Sequence, residues 1–541
     1  MLVNGGSDFD MKYFNTTGLC NPDKHYMVDI TNRISEMKKL VDAGKYFTIN
    51  RARQYGKTTT LSALGKYLEK EYLIVSLDFQ EMGNGAFRDE GIFTQALARL
   101  FMDAHEFSGM PVPEEYLNAF EKINDKDPER VTMDEFFRVI KRWCLRMDKP
   151  IVLMVDEVDS ATNNQVFLDF LAQLRALYLK REANPEYKTF HSVILAGVTD
   201  IKHLKSRIRD EDQSKVNSPW NIAIDFNVDM SLSQVGIRGM LDDYEKDHNT
   251  GMDTEQIAQG IRDYTSGYPY LVSRICQIMD ERLVPDSFAG FSEVWTENGV
   301  DEAVKIILSD GNNALFESLT GKLTNHPELR EQLRRILLFG DAVEYLPDDE
   351  PQKQLVMYGF VKIVNNKIII SNRIFEMRLY RQFVGENRYE NLRQLAASEK
   401  NIFVEDGVLN IPKIMQHFID SQKMIRGEED GKFAEEEGRE RFLTYLSPII
   451  NGTGTYSIEE QTRTRQRMDV VIHYLGKRYV IELKIWRGER YNEEGEKQLR
   501  SYLDYFGLDT GYLLSFNFNQ TKETGVKRVE IGDKVLFEGT V

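Results

Sequence analysis

The sequence predicts an α/β chain built in several parts. A parallel sheet wound with helices comes first, helical modules follow, and a second, smaller α/β unit ends the chain. Three observations predict this. Over Phe47–Thr60 an apolar run ends at Ile49, a polar loop follows, and a helical pattern begins. A second apolar run, Ile151–Val155, ends in Asp156, Glu157 and Asp159. Far downstream, Arg467–Tyr474 and Tyr479–Trp486 read as neighbouring strands joined through Gly476 and Lys477. At 541 residues the chain is too long for a single core.

Composition sets outer limits. The chain is 41% hydrophobic and 29% charged, and its apolar runs are too short for a membrane span. The first residues, Met1–Gly6, lack the basic and then apolar form of a signal peptide. The cysteines, Cys20, Cys144 and Cys276, form no C-x-x-C pair. That suits a reducing cytoplasm and argues against a zinc ribbon or a disulfide framework. The formal charge of −17 argues against non-specific coating of nucleic acid, while leaving room for one basic groove.

The first element is a helix over Ile30–Val41, with Ile34, Met37 and Val41 on one side. The strand ending at Ile49 then leads into Asn50-Arg51-Ala52-Arg53-Gln54-Tyr55-Gly56-Lys57-Thr58-Thr59. Amides at a helix start point at an anion, and the helix dipole favours negative charge there. In a phosphate loop, Lys57 reaches the β- and γ-phosphates and the Thr58 hydroxyl holds Mg²⁺. Arg51 stands where the pattern G-x-x-x-x-G-K-[ST] has its first glycine. The competing reading is an ordinary helix entry capped by threonine.

Tyr72–Asp78 reads as a second buried strand, and helices are expected near 92–105 and 133–147. A buried parallel strand such as Ile151–Val155 delivers its terminal acids to the edge where ligands collect. There Asp156 orders the Mg²⁺ shell and Glu157 polarises the attacking water. An acidic helix start is the bland alternative. A fourth strand, Ser192–Val198, ends at Thr199, which either touches the γ-phosphate or closes a strand-end turn. Lys202, Lys205, Arg207 and Arg209 follow, as an arginine finger or a solvated basic face. Asn221–Phe226 reads as the last short strand of this sheet.

Residues 231–328 read as helical, with Gly267-Tyr268-Pro269 breaking and restarting a helix. Over 329–385 the order is helix, helix, a hairpin through Asn365-Asn366, then a helix, which is a winged-helix pattern. Acids at Asp341, Glu344 and Asp348–Glu350 favour a structural or regulatory role for it over DNA binding. The polar stretch 386–434 reads as a linker, leaving 435–541 as the last domain and 1–230 as the first.

The last domain holds a second constellation. Glu482 and Lys484 are two apart on one strand and share a face. Asp469 lies on the adjacent strand, on the same side if the two pair as a hairpin. Two acids and a lysine beside a core are costly unless they bind something. A divalent metal would neutralise Asp469 and Glu482, with Lys484 stabilising developing charge. Oxygen-only ligands suit Mg²⁺ or Mn²⁺. Gln498 and Tyr502 share a helix face, and Glu440 on the preceding helix offers a third acid. Over 439–541, 16 Lys+Arg face 15 Asp+Glu, so this is the least acidic portion of the chain. Arg463, Arg465, Arg467 and Arg487 lie near the proposed site. A salt-bridge ladder between strands is the alternative.

These motifs resemble two known families. The form N-R-x-R-Q-Y-G-K-T at Asn50–Thr58, V-D-E-x-D at Val155–Asp159 and G-x-P at Gly267–Pro269 are similar to AAA-like ATPases of the STAND and archaeal type. The resemblance implies a P-loop NTPase sheet with ATP held by Arg53–Thr59, Asp156 and Thr199, and Pro269 near the adenine. It also implies assembly into a homo-oligomer. The set R-x-D, E-x-K and Q-x-x-x-Y resembles the PD-(D/E)xK nuclease superfamily, with Met468 in place of the signature proline. That implies a metal-dependent nuclease with Asp469, Glu482, Lys484 and Gln498 as catalytic positions. Together the resemblances imply an ATP-regulated nuclease acting on nucleic acid, DNA before RNA, in bacterial defence. The alternatives are a STAND-like switch that binds nucleic acid without cutting it, and an ATPase scaffold or motor.

Overall fold

The computed structural model describes residues 11–162, 164–199, 201, 219–226, 228–283, 290–311, 313–339, 343–384, 392, 396–397, 402–405, 408–425, 435–450, 454–461, 467–486, 489–517 and 523–541. The chain forms two compact units. The first comprises Met1–Arg262, Gly267–Trp295 and Met357–Gly359; the second comprises Asp263–Ser266, Thr296–Val356 and Phe360–Val541. No described helix is long and apolar enough to cross a membrane.

The first unit is built on strands β1 (Tyr46–Asn50), β2 (Leu73–Asp78), β3 (Ile151–Asp156), β4 (Ser192–Gly197) and β5 (Ile224–Asp225). Their order is β2-β3-β4-β1-β5, and every pairing is parallel. The central strands are continuous apolar runs because both faces are covered. Helices α1 (Thr31–Asp42) and α2 (Lys57–Leu68) cover one face, where Ile34, Leu61 and Leu64 meet Phe47, Val152 and Ile194. On the other face lie α3 (Glu90–Ser108), α4 (Glu114–Asn124), α5 (Met133–Arg146) and α6 (Gln165–Ala183). There Phe93, Phe137 and Phe170 meet Val75, Leu153 and Leu195. Helix α4 was not expected; its apolar residues Tyr116, Phe120 and Ile123 lie at helical spacing within a short polar stretch. Because the strands run parallel, the ends of β1, β3 and β4 share one edge. Helices α7 (Gln234–His248), α8 (Thr254–Thr265) and α9 (Pro269–Ile278) follow.

In the second unit come α10 (Glu297–Ser309), α11 (Ala314–Asn325), α12 (Pro327–Phe339), α13 (Glu350–Met357), the hairpin β6 (Val361–Val364) and β7 (Lys367–Ile370), and α14 (Arg373–Val384). Asn365 and Asn366 turn the hairpin with φ of 50° and 62°, the left-handed pair that asparagine tolerates.

The stretch expected to be a linker is partly folded. It carries the short pair β8 (Val404–Glu405) and β9 (Val408–Leu409), then α15 (Ile411–Ile425). Ile411, Ile414, Met415, Phe418 and Ile419 are buried, so the polar composition concealed an amphipathic helix. Residues 426–434 lie outside the described residues.

Helix α16 (Glu435–Ile450) precedes β10 (Gly454–Gln461), β11 (Arg467–Tyr474), β12 (Lys477–Ile485), α17 (Glu489–Phe506), β13 (Thr510–Phe516), β14 (Gly525–Ile531) and β15 (Lys534–Thr540). The sheet order is β10-β11-β12-β13-β15-β14, antiparallel at both edges and parallel from β12 to β15. One face, with Val471, Val480 and Leu513, packs on Leu499, Tyr502 and Leu503 of α17. The other receives α16, whose backbone comes so close that a Cβ on Gly438 would lie 2.5 Å from the Phe516 ring.

Candidate functional site

The loop between β1 and α2 passes through left-handed backbone at Gln54 (φ 58°) and Gly56 (φ 79°). Glycine adopts that conformation freely, whereas at Gln54 it is strained, as at many ligand-binding loops. Among the described residues, the amides of Gln54, Tyr55 and Gly56 have no acceptor within the protein. They stand at the positive end of α2, so the loop presents donors to an anion. Lys57 is 4% exposed. Its ammonium donates to the carbonyls of Arg51 (3.2 Å) and Ala52 (3.3 Å), which uses two of its three donors. Burial lowers its pKa, against the pull of Glu157, Asp159 and Asp156. Arg51, in the place of a glycine, turns its guanidinium out of the loop. It donates to the carbonyls of Asn50 (2.7 Å), Phe226 (3.1 Å) and Val228 (2.9 Å).

The Thr58 hydroxyl donates to Asp156 Oδ2 at 2.6 Å. These are two oxygen donors at the edge of the loop, the set a hard divalent cation such as Mg²⁺ takes. Glu157 follows with φ 50°. Burial raises its pKa, opposed by Lys57 and reinforced by Asp156 and Asp159. Thr199 joins this edge through its main chain. Asp159 accepts from the amides of Val198 and Thr199, each at 2.7 Å, and so fixes the end of β4. The Thr59 hydroxyl accepts from the amide of Cys20 at 3.2 Å. Tyr55 packs edge-on against Tyr268, with ring centroids 4.8 Å apart. The Tyr268 hydroxyl donates to the carbonyl of Arg53. Pro269 opens α9. Lys202, Lys205, Arg207 and Arg209 lie outside the described residues.

In the C-terminal sheet, Glu482 is 0% exposed, and Lys484 Nζ lies 2.9 Å from its Oε1. Val470 pairs with Ile481 across antiparallel β11 and β12. Asp469 immediately precedes this paired stretch in β11, and Glu482 immediately follows it in β12. The side chain of Asp469 lies outside the described residues, as do Arg463, Arg465, Arg487 and the side chain of Arg467. Gln498 donates to the Tyr502 hydroxyl. One turn earlier, a Cβ on Gly495 would lie 3.6 Å from Cγ of the Lys484 stem, so this face of α17 meets the lysine. Glu440 is placed differently. It sits on α16, with the sheet between that helix and the Glu482 face, and its carboxylate accepts from Arg334 of α12 at 3.0 Å. The expectation that Glu440 completes the acid set finds no support in this arrangement. Among the described residues, no three metal-ligating side chains converge.

A family model described as an AAA-like domain matches residues 24–386. The chain belongs to this AAA-like family. A model of the PD-(D/E)XK nuclease superfamily matches residues 456–529 of the same chain, which include Asp469, Glu482, Lys484 and Gln498. Solved structures similar to the AAA-like chain include the Walker-type ATPase PABY2304 of Pyrococcus abyssi, at 11% identity, covering 68% of this chain and 99% of that one, with a TM-score of 0.44. The Aeropyrum pernix ORC2 protein is similar at 12% identity, covering 67% and 97%, with a TM-score of 0.35. The Thermotoga maritima RuvB Holliday junction branch migration motor is similar at 12% identity, covering 63% and 92%, with a TM-score of 0.31. No curated protein matches the chain.

Three residues of the AAA-like region stand in its motifs, but what each one touches was not read from the sequence. Tyr268 touches the loop, although Pro269 of the same motif drew attention. An aromatic between glycine and proline was the available signal. Asp159 pins β4, and Arg51 ties the loop to the stretch after β5. Neither partner could be named without the strand order.

Proposed function

We propose that this AAA-like chain is an ATP-regulated, Mg²⁺-dependent nuclease of the cytoplasm. Its substrate is nucleic acid, DNA before RNA, in defence against foreign DNA. The observation that carries the proposal is the fully buried Glu482 with Lys484 Nζ at 2.9 Å, inside the segment matched to the nuclease superfamily. A buried carboxylate is costly to maintain, and oxygen donors beside an ammonium suit a phosphodiester with a hard cation.

Asp469 and Glu482 are the carboxylates that hold the metal, and Lys484 sets a cation where charge builds on the phosphate. Gln498 supports the lysine side of the site from α17. Bound Mg²⁺ or Mn²⁺ supplies Lewis-acid polarisation and a more acidic water. At the other site the free amides of the loop and Lys57 take the phosphates of ATP. Thr58 and Asp156 hold its Mg²⁺, and Glu157 orients the attacking water. A homo-oligomer is part of this reading, by the resemblance to P-loop ATPases that assemble.

The test is incubation of the purified chain with plasmid, linear DNA and RNA, with and without ATP, in Mg²⁺ or EDTA. Asp469→Ala should abolish metal-dependent cleavage and leave ATP binding intact. Cleavage that persists in this variant removes the site. Retarded nucleic acid without cleavage under any metal favours a switch that only binds.

A further inference from the structure

We propose that the free edge of β14 is a docking surface for a second copy of this chain, which pairs with it antiparallel about Val529. The surface lies wholly within the second unit. β14 (Gly525–Ile531) is the last strand of its sheet and pairs with β15 alone. The amide of Val526 points away from β15 and donates to Gln416 Oε1 of α15 at 3.0 Å. By the alternation of an antiparallel pair, the N–H and C=O groups of Arg528 and Glu530 point outward as well. Among the described residues they have no partner. The helix therefore closes the start of this edge and leaves the rest open, a template for another strand.

The order of the side chains selects the occupant. An exposed edge is ordinarily guarded by charges that repel a second strand. Here the charges change sign across Val529, with Arg528 before it and Glu530 after it. When two such strands run antiparallel about Val529, Arg528 stands opposite the partner's Glu530, and Glu530 opposite the partner's Arg528. Each of these pairs exchanges both of its N–H···O bonds, and opposite charges face each other. On the other face the half-buried Val529 meets the partner's Val529, in a non-hydrogen-bonded pair where side chains come closer. Within one chain Arg528 Nη1 lies 2.6 Å from Glu530 Oε1, with side chains 55% and 66% exposed. A surface pair of this kind contributes little, so both charges are available to a partner. Lys527 is not, because its Nζ lies 2.8 Å from Oε2 of the buried Glu538 on β15.

The test uses the full chain without nucleotide and measures its mass by sedimentation over a concentration series. The wild type should pass from monomer to dimer as concentration rises. Arg528→Glu and Glu530→Arg each set like charges opposite one another, and each should weaken dimerisation roughly tenfold or more. Mixing the two variants restores opposite charges at both positions, so the mixture should dimerise about as tightly as the wild type. An ion pair confined to one chain gives no such rescue. Hydrogen exchange places the contact: the amides of Arg528 and Glu530 should slow as concentration rises, while that of Val529, already bonded to β15, should not change. Melting curves confirm that the variants fold. A wild type that stays monomeric overturns the proposal. So do single variants that associate like the wild type, or a mixture that stays monomeric. These readouts need neither cleavage nor ATP, so the function proposed above stands or falls separately.

Discussion

Thr58 and Asp156, 98 residues apart in sequence, meet at 2.6 Å where the phosphate-loop helix faces the end of β3. The hydroxyl gives its proton to the carboxylate and keeps its lone pairs for a cation. Asp156→Asn removes the negative charge that this pair offers the cation while nearly keeping the shape of the site. The variant should bind ATP in EDTA as the wild type does, and lose most of the gain in affinity that Mg²⁺ brings. The expected loss is about 1.5–3 kcal/mol, the worth of a charged hydrogen-bonding group. Nucleotide titrations across a Mg²⁺ series measure it.

Glu157 gives a prediction with a sign. Burial raises its pKa above the ordinary 4.5, so the folded protein holds the proton more tightly than the unfolded chain. Its stabilising contribution is complete below pH 4.5 and is lost as pH rises through the raised native value. Glu157→Gln is neutral at every pH. Its melting temperature should exceed that of the wild type at neutral pH, and the gap should close as pH falls toward 4.5. ATP turnover in the same variant should drop about 10²–10⁴-fold, the range for a lost general base, with binding retained. A melting curve that shifts equally at every pH would contradict the desolvation argument.

Both sheets were legible in the sequence, because Ile151–Val155 and Tyr479–Ile485 are apolar runs that finish or carry acids in fixed phase. The pairing of Glu482 with Lys484 was legible too, since period two puts them on one face. What stayed hidden depends on contacts between distant stretches. Asp159 reaches the amides of Val198 and Thr199, and Arg334 reaches Glu440. Local periodicity carries no trace of either. Helix α15 was missed for another reason. Its apolar residues are correctly spaced, but polar neighbours on both sides made the average composition look like a linker.

Gly267 tests how tightly the turn before α9 is built. Its φ is 73° and a methyl group would lie 2.1 Å from the Leu232 carbonyl oxygen. Gly267→Ala adds left-handed strain and a clash with backbone, which together should cost about 2–4 kcal/mol. The same change should weaken nucleotide binding, because Tyr268 next to it holds the Arg53 carbonyl. Tyr268→Phe separates the two effects. Losing that hydroxyl alone should lower affinity by about 0.5–1.5 kcal/mol, the net worth of one hydrogen bond, with a much smaller fall in melting temperature.

The Glu482–Lys484 pair makes a prediction about metal and stability together. Glu482 is wholly buried, and the ammonium 2.9 Å away offsets its charge. Lys484→Met keeps most of the side-chain volume and removes that charge, so the C-terminal sheet should lose about 3–5 kcal/mol, as when one partner of a buried pair is deleted. A metal held by Glu482 supplies the missing positive charge. Mn²⁺ should therefore raise the melting temperature of Lys484→Met by more than it raises that of the wild type, and EDTA should reverse the gain. Glu482→Leu combined with Lys484→Met removes both charges, so it should recover much of the lost stability and show no response to Mn²⁺. If Mn²⁺ stabilises the double variant as strongly as the single one, the ion binds elsewhere and Glu482 is only half of a structural ion pair.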